Sequence, residues 1–431
     1  MRIAQTLFVP GVSSFFFDDQ RAIKGGARHD GFVYRGAPTT SGFTRIREAG
    51  RSISVVLVLE DGQVAVGDCA AIQYSGAGGR DPLFQPEAYL PLLDAEIRPR
   101  LEGAEVGPFR AAAAAFEALE VGGRRLHTAL RYGLSQALLE ARALACRTTK
   151  CEVVCEEYGF PLVARAVPIF GQSGDDRYGG ADKMILKQVD VLPHGLINNV
   201  EEKLGAKGEK LVEYIRWLVR RIRALRPDPS YHPVLHLDVY GTPGIVFGPD
   251  PGRIADYLVS LAEAAGDFSL YIEGPVDMEE RPRQIDALRE IRRRLRAAGS
   301  AVKIVADEWC NSVEDVHAFV DAGACDMAQI KTPVMGGIQN AIESVRYCKE
   351  HGVEAYQGGT CNETDVSARV CVHLAVAAQA DRTLAKPGMG FDEGFCVVKN
   401  EMERLLSLLR LGIRAAGDRR ADVAPRTRAE G

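Results

Sequence analysis

Val234-Leu-His-Leu-Asp238, Ser269-Leu-Tyr-Ile-Glu273, Val302-Lys-Ile-Val-Ala-Asp307 and Met327-Ala-Gln-Ile-Lys331 are four short apolar runs, and each ends on a chargeable side chain. Amphipathic segments separate them, Arg253 to Ala265, Pro282 to Ala298 and Val313 to Ala322, and beyond lie Ile338 to His351 and a fifth run, Val353 to Gln357. Apolar runs and helical segments that alternate about every thirty residues predict parallel βαβ units. Their number favours a closed α/β barrel of the (β/α)8 type over an open sheet. In such a barrel every strand delivers its C-terminal end to one mouth. Asp238, Glu273, Asp307 and Lys331 should therefore meet there, although 35, 34 and 24 residues separate successive members.

Upstream, Leu211, Ile215, Leu218, Ile222 and Leu225 step by four and three residues and form one apolar helix face, with Arg and Glu opposite. The front of the chain has another texture. Between Ser52 and Ala70 two β-rich runs flank Asp61-Gly62, a strong hairpin signal, and Ala-rich and Leu-rich helical stretches follow at Ala111 to Leu119 and Leu126 to Ala145. The expected division is an N-terminal α+β domain over residues 1–160, a barrel over 161–414, and a disordered tail over 415–431, which is rich in Arg, Asp, Ala and Pro.

At 431 residues the chain exceeds the size at which a single core usually stops growing, in keeping with two domains. With 46% hydrophobic and 26% charged residues and a net charge of -5, neither nucleic acid nor an anionic membrane is an expected partner. No apolar run reaches the roughly 18 residues of a spanning helix. Pro10, Gly11, Ser13 and Ser14 interrupt the start, which reads as mature sequence. The 10 cysteines are scattered and only Cys151 and Cys155 lie close, so a reduced, cytoplasmic chain without a zinc site is expected.

Three carboxylates gathered at a barrel mouth repel and raise one another's pKa. A divalent cation removes the conflict, and an all-oxygen donor set suits magnesium or manganese. Strand-end acids can instead cap the helices that follow, but capping does not demand consecutive strands and accepts Ser or Thr equally. A desolvated Lys331 beside such a cation is a candidate base; a structural salt bridge to one of the acids is the alternative. A proton next to a carboxylate is too weakly acidic for a base alone, so the enolate needs a positive partner, a pairing of lysine or histidine with magnesium known from enolase-type sites. His194, in Val-Leu-Pro-His-Gly, sits where an earlier barrel unit gives way to a helix and is either structural or faces the substrate from the other side. Gly358-Gly359 lets backbone amides approach a carboxylate, with Thr360 and Cys361 as further donors, or forms an ordinary turn.

At these residues the sequence closely resembles the methylaspartate ammonia-lyases, a branch of the enolase superfamily. The resemblance is carried by Phe16 to Lys24, Gly171-Gln-Ser-Gly-Asp-Asp-Arg-Tyr178, Asp190 to Leu204, His236-Leu-Asp-Val-Tyr-Gly241, Gln329-Ile-Lys-Thr-Pro333 and Gln357-Gly-Gly-Thr-Cys-Asn-Glu-Thr364, so it spans nearly the whole chain. It implies a capping α+β domain on a modified (β/α)8 barrel, a homodimer, Mg2+, and a monovalent cation such as K+ as activator. It implies Asp238, Glu273 and Asp307 as magnesium ligands and Lys331 as the base for the C3 proton of (2S,3S)-3-methylaspartate. His194 would stand on the other face, with Gln172, Gln329, Thr360 and Cys361 holding the small amino-acid substrate. Loss of ammonia would then give mesaconate, in glutamate degradation.

One departure is visible. Where the family commonly continues Asp-Leu-Gly-Gly after Lys-Thr-Pro, this chain has Val334-Met335-Gly336-Gly337, a change bearing on the base or the alkyl pocket. The rival outcomes are a dehydratase, cycloisomerase or racemase of the same superfamily, and a noncatalytic metal-binding relative, which would be expected to lack the base or a ligand.

Overall fold

A computed structural model describes residues 1–412; the predicted tail over 415–431 lies outside the described residues. The N-terminal part is built on a three-stranded antiparallel sheet in the order β1 (Ile3–Asp18), β2 (Arg47–Leu59), β3 (Val64–Ala70). The hairpin between β2 and β3 turns at Asp61-Gly62, where Gly62 has φ +84°, a conformation glycine adopts without strain. β1 contains Pro10, which cannot donate to a ladder, and it lies at an edge, where that is tolerated.

Helix α1 (Thr128–Cys146) lies across this sheet and buries twelve of its residues, Tyr132 among them. Gly67 on β3 and Gly133 on α1 let the two backbones touch, since a Cβ at either would collide with the other element's main chain.

The remainder is a closed barrel of eight parallel strands, β4 (Ile169–Phe170), β5 (Val191–His194), β6 (Val234–Asp238), β7 (Leu270–Glu273), β8 (Lys303–Ala306), β9 (Met327–Ile330), β10 (Glu354–Gln357) and β11 (Arg382–Leu384). Each strand pairs with its successor and β11 closes on β4. Phe170, Val191, Tyr271, Val305, Met327, Tyr356 and Leu384 fill the interior as a separate apolar cluster, so the barrel is packed and only its mouth is open to chemistry.

The five predicted strands and the helices between them are present, with boundaries moved by at most two residues. Asp307 and Lys331 lie one position beyond the last paired residues, Ala306 and Ile330. The helix with the five-residue apolar face spans Glu209–Leu225 and buries Leu211, Ile215, Leu218 and Ile222. Strands β4 and β11 are not anticipated, since two or three residues carry no readable period; β5 is expected only as an earlier barrel unit ending at His194, and Pro193 inside it argues against a strand. After His194 the chain runs through a loop before a single wide turn, Val200–Leu204, rather than directly into a helix. No helix among the described residues is long and apolar enough to cross a membrane.

Candidate active site

Parallel strands in register bring the four strand-end groups to one rim. Asp238 closes β6 and Glu273 closes β7, directly opposite in the ladder. One oxygen from each of Asp238, Glu273 and Asp307 lies within 4.8 Å of the others, and all three side chains are buried. The Lys331 amine donates to Asp307 at 2.7 Å to Oδ1 and 2.9 Å to Oδ2. The same amine lines a cavity shared with Gln172, His194, Asp238, Asp307, Gln329, Thr360 and Cys361. The salt bridge and the placement for chemistry therefore coexist.

The electrostatics show what this cluster is short of. Burial, and then the charges of Asp238 and Asp307, push the Glu273 carboxyl well above the usual range. Burial alone would also raise Asp307, but Lys331 and Arg80 outweigh it and hold it below. Next to Asp307, burial together with Asp307 and Asp238 lifts the Glu308 carboxyl to about 8, and its Oε2 has no partner. The rim thus carries more negative charge than its own cations offset. Three convergent carboxylate oxygens with no sulfur or nitrogen ligand fit a hard divalent cation such as Mg2+.

Glu273 is held in place by groups that sequence reading did not single out. Its Oε2 lies 2.8 Å from His236 Nε2, and Arg382 Nη1 lies 2.7 Å from His236 Nδ1. A guanidinium can only donate, so Nδ1 accepts and the proton on Nε2 is donated to Glu273. Burial, then Arg382 and His194, press the His236 pKa far below its ordinary value, which keeps this ring neutral. Arg382 in turn lies over the Tyr271 ring, 3.7 Å from its centroid. The signal was available: His236 and Asp238 are two apart on one strand and share a face.

The remaining predicted residues surround the cavity. His194 ends β5 with φ +67°, an unusual conformation for a histidine; its Nε2 is 3.5 Å from Asp238 Oδ2 and its Nδ1 has no partner. Gln329 donates to Glu273 Oε1 at 2.7 Å and leaves its own Oε1 unpartnered. Gln172 Nε2 donates to the carbonyls of Ala385 and Gly388, at 3.2 and 3.0 Å.

Thr360 Oγ1 accepts from the Gln73 backbone at 3.3 Å, and the Cys361 thiol faces Gln73 Oε1 at 3.4 Å. Burial pushes that thiol up, so Cys361 is a neutral donor and not a thiolate. Gln73, Tyr74 and Arg80, all from the N-terminal part, complete the wall. Val334 and Met335 are buried beside this site and line a second cavity of about 480 Å3 that also touches Arg80.

Comparison with known proteins follows the same outline. Residues 1–159 match the family model "Methylaspartate ammonia-lyase N-terminus" and residues 161–411 match "Methylaspartate ammonia-lyase C-terminus". The chain is 61% identical over 410 residues to the methylaspartate ammonia-lyase of Citrobacter amalonaticus, covering 95% of this chain and 99% of that one. It is 55% identical over 409 residues to that of Clostridium tetanomorphum, again covering 95% and 99%.

The Citrobacter enzyme, solved containing (2S,3S)-3-methylaspartic acid, superposes with a TM-score of 0.94 over 95% of this chain and 100% of its own. The Clostridium enzyme, solved as a Mg complex, superposes at 0.91 over 96% and 100%. A muconate lactonizing enzyme from Pseudomonas fluorescens, 16% identical over 91% of this chain and 88% of its own, shares the fold at a TM-score of 0.59.

Proposed function

The chain belongs to the methylaspartate ammonia-lyase family, and on that premise we propose that it removes ammonia from (2S,3S)-3-methylaspartate to give mesaconate, with Lys331 as the base. The observation that carries the reading is the Lys331 amine seated on Asp307 at the edge of three carboxylates whose oxygens lie within 4.8 Å of one another. The Clostridium relative is a Mg complex and the Citrobacter relative contains the methylaspartate diastereomer, which supports the same metal and substrate here.

Asp238, Glu273 and Asp307 hold Mg2+, and a monovalent cation such as K+ serves as activator. When bound, Mg2+ supplies the positive charge that the three acids lack and that one substrate carboxylate needs. His236 and Gln329 keep Glu273 aimed at the centre by occupying one oxygen each.

Lys331 in its neutral form takes the proton from C3. The C–H electron pair becomes the C2=C3 double bond, and the C2–N pair leaves with ammonia. His194, across the cavity, helps stabilise the charge that builds on the substrate and is the base for the other diastereomer. Gln172, Gln329, Thr360 and Cys361 orient the second carboxylate and the amino group. Burial serves this step, because charge forming on the carboxylate next to C3 meets fixed donors in place of mobile water.

We further propose a cap over 1–160, a barrel over 161–414, a homodimer, and a cytoplasmic role in glutamate degradation by way of mesaconate. The test of the chemistry is ammonia and mesaconate release from 3-methylaspartate with and without Mg2+. Equal amounts of both products, only with the metal, are expected. Epimerisation of the substrate without ammonia release would assign the site to a racemase instead.

A further inference from the structure

Among the described residues, Arg80 is the one cation on the cavity wall that the N-terminal part supplies. It lies in a tight loop after β3, closed by Gly76 N donating to Asp81 O at 2.8 Å and Arg80 N to Ala77 O at 3.2 Å. The loop is tied to the barrel, since Asn311 Nδ2 donates to Gly78 O at 2.8 Å and Arg80 Nε reaches Asn311 Oδ1 at 3.4 Å. The Arg80 side chain is only 4% exposed, and its Nη2 stands 3.8 Å from Asp307 Oδ1, beyond hydrogen-bond length. That Nη2 has no hydrogen-bond partner at all.

A buried, charged N–H without an acceptor is costly, and native structures seldom keep one without a reason. Asp307 does not supply the acceptor where it stands, because its Oδ1 is 3.8 Å from Nη2. An anionic oxygen brought into the cavity by a bound molecule is the acceptor that best matches this charged donor.

We propose that Arg80 is a substrate-binding residue whose free Nη2 takes an oxygen of the carboxylate next to the carbon that Lys331 deprotonates. This deepens the lyase reading and rests on it. Lys331 Nζ and Arg80 Nη2 approach the same oxygen of Asp307, at 2.7 and 3.8 Å, from the two sides of the loop-barrel junction. A carboxylate presented to the three acids therefore meets Arg80 with one oxygen while its neighbouring carbon faces the amine. As the C–H pair moves toward that carboxylate its charge grows, so the contact is stronger in the transition state than in the ground state. The guanidinium also ties substrate binding to the seating of the cap loop on Asn311.

The test compares wild type with Arg80→Gln and Arg80→Lys as full-length, Mg2+-loaded protein. Calorimetry reads mesaconate and Mg2+ affinity, and kcat and KM for ammonia release are measured alongside. For Arg80→Gln we expect mesaconate to bind about tenfold more weakly and kcat to fall about tenfold or more, the scale of one charged hydrogen bond. Mg2+ affinity should stay within about threefold of wild type, and Arg80→Lys should recover part of both losses.

Unchanged mesaconate affinity with unchanged kcat in Arg80→Gln overturns the proposal. So does a loss of Mg2+ affinity large enough to account for the weaker binding, which would make Arg80 a partner of Asp307 alone. If wild type binds mesaconate yet releases no ammonia from methylaspartate, the lyase reading fails, and the binding comparison still decides the role of Arg80. Thermal unfolding of the metal-free variants identifies any that are misfolded, and Arg80→Lys then carries the comparison.

Discussion

Lys331 and Thr332 are neighbours in sequence but belong to two differently built clusters of buried charge. Lys331 faces the barrel mouth, where Gln329 Oε1, His194 Nδ1, Glu308 Oε2 and Arg80 Nη2 all lack partners. Thr332 belongs to the seam between barrel and cap, where Lys386 Nζ donates to Thr332 Oγ1, Gly358 O and Glu363 Oε1, each at 2.9 Å. Glu363 Oε2 accepts from Tyr132 of helix α1 at 2.7 Å, and Oε1 also accepts from Thr360 N at 3.1 Å. Lys386 and Glu363 are both fully buried, as deeply as any group at the mouth. Burial is common to the two clusters; what separates them is completeness. A closed network fixes the position of the Thr360 loop, and an open one waits for a ligand.

The largest effect expected from this contrast is at the mouth. Lys331→Ala should lower kcat/KM for ammonia release about ten-thousandfold, the upper range for loss of a general base. Its metal-free thermal midpoint should fall less than that of Lys386→Met, because the Lys331 amine opens onto the cavity and Arg80 remains 3.8 Å from Asp307. Steady-state kinetics and a melting curve decide it, and a variant that loses its fold instead would erase the distinction between the clusters.

The seam should respond in the opposite way. Lys386→Met leaves the Glu363 charge buried with its chief counter-charge gone, which typically destabilises by about 3–5 kcal/mol. Adding Glu363→Leu removes the stranded charge and should recover a good part of that loss, read as urea midpoints in a double-mutant cycle. Folded Lys386→Met should still bind Mg2+, since none of the three acids touches Lys386. If the double variant were no more stable than the single one, the seam would not be the self-contained pair its geometry describes.

The sequence displayed the mouth far better than the seam. Asp238, Glu273, Asp307 and Lys331 were legible because a parallel barrel converts a local feature, an acid or amine at the end of an apolar run, into a shared location. Gln172 and Gln329 rested on family resemblance alone, while the residues themselves left His194, Thr360 and Cys361 open between a structural and a substrate-facing place, since no periodicity distinguishes them.

Arg80, Gln73 and the Tyr132–Glu363–Lys386 chain left no local trace. Tyr132 and Glu363 are 231 residues apart, and only the packing of α1 against the barrel brings them together. The short strands β4 and β11 escaped for a related reason, because pairing around the barrel forms them and not their own two or three residues.

The smallest effect separates Glu273 and Glu308, the two raised glutamates of the mouth, from Glu401 outside it by the sign of their response to acid. At the mouth Glu273 and Glu308 are pushed up, whereas Glu401, on the C-terminal helix Asp392–Arg410, is held down at about 2. Burial by itself would raise Glu401, but His373 at 3.2 Å outweighs it, helped by the charges of Lys150 and Arg369. In the unfolded chain a glutamate titrates near about 4.3, so the folded form binds fewer protons between that pH and about 2. The stabilisation from Glu401 is therefore complete above about pH 4.3 and is lost as the pH falls toward about 2. Glu401→Gln should lower the thermal midpoint by about 1–2 °C at pH 6, the scale of roughly one kcal/mol in a chain of this size. The gap from wild type should close progressively below about pH 4. A gap that widened on acidification would give Glu401 the raised pKa of Glu273 and Glu308, and the contrast between the two clusters would lose its electrostatic signature.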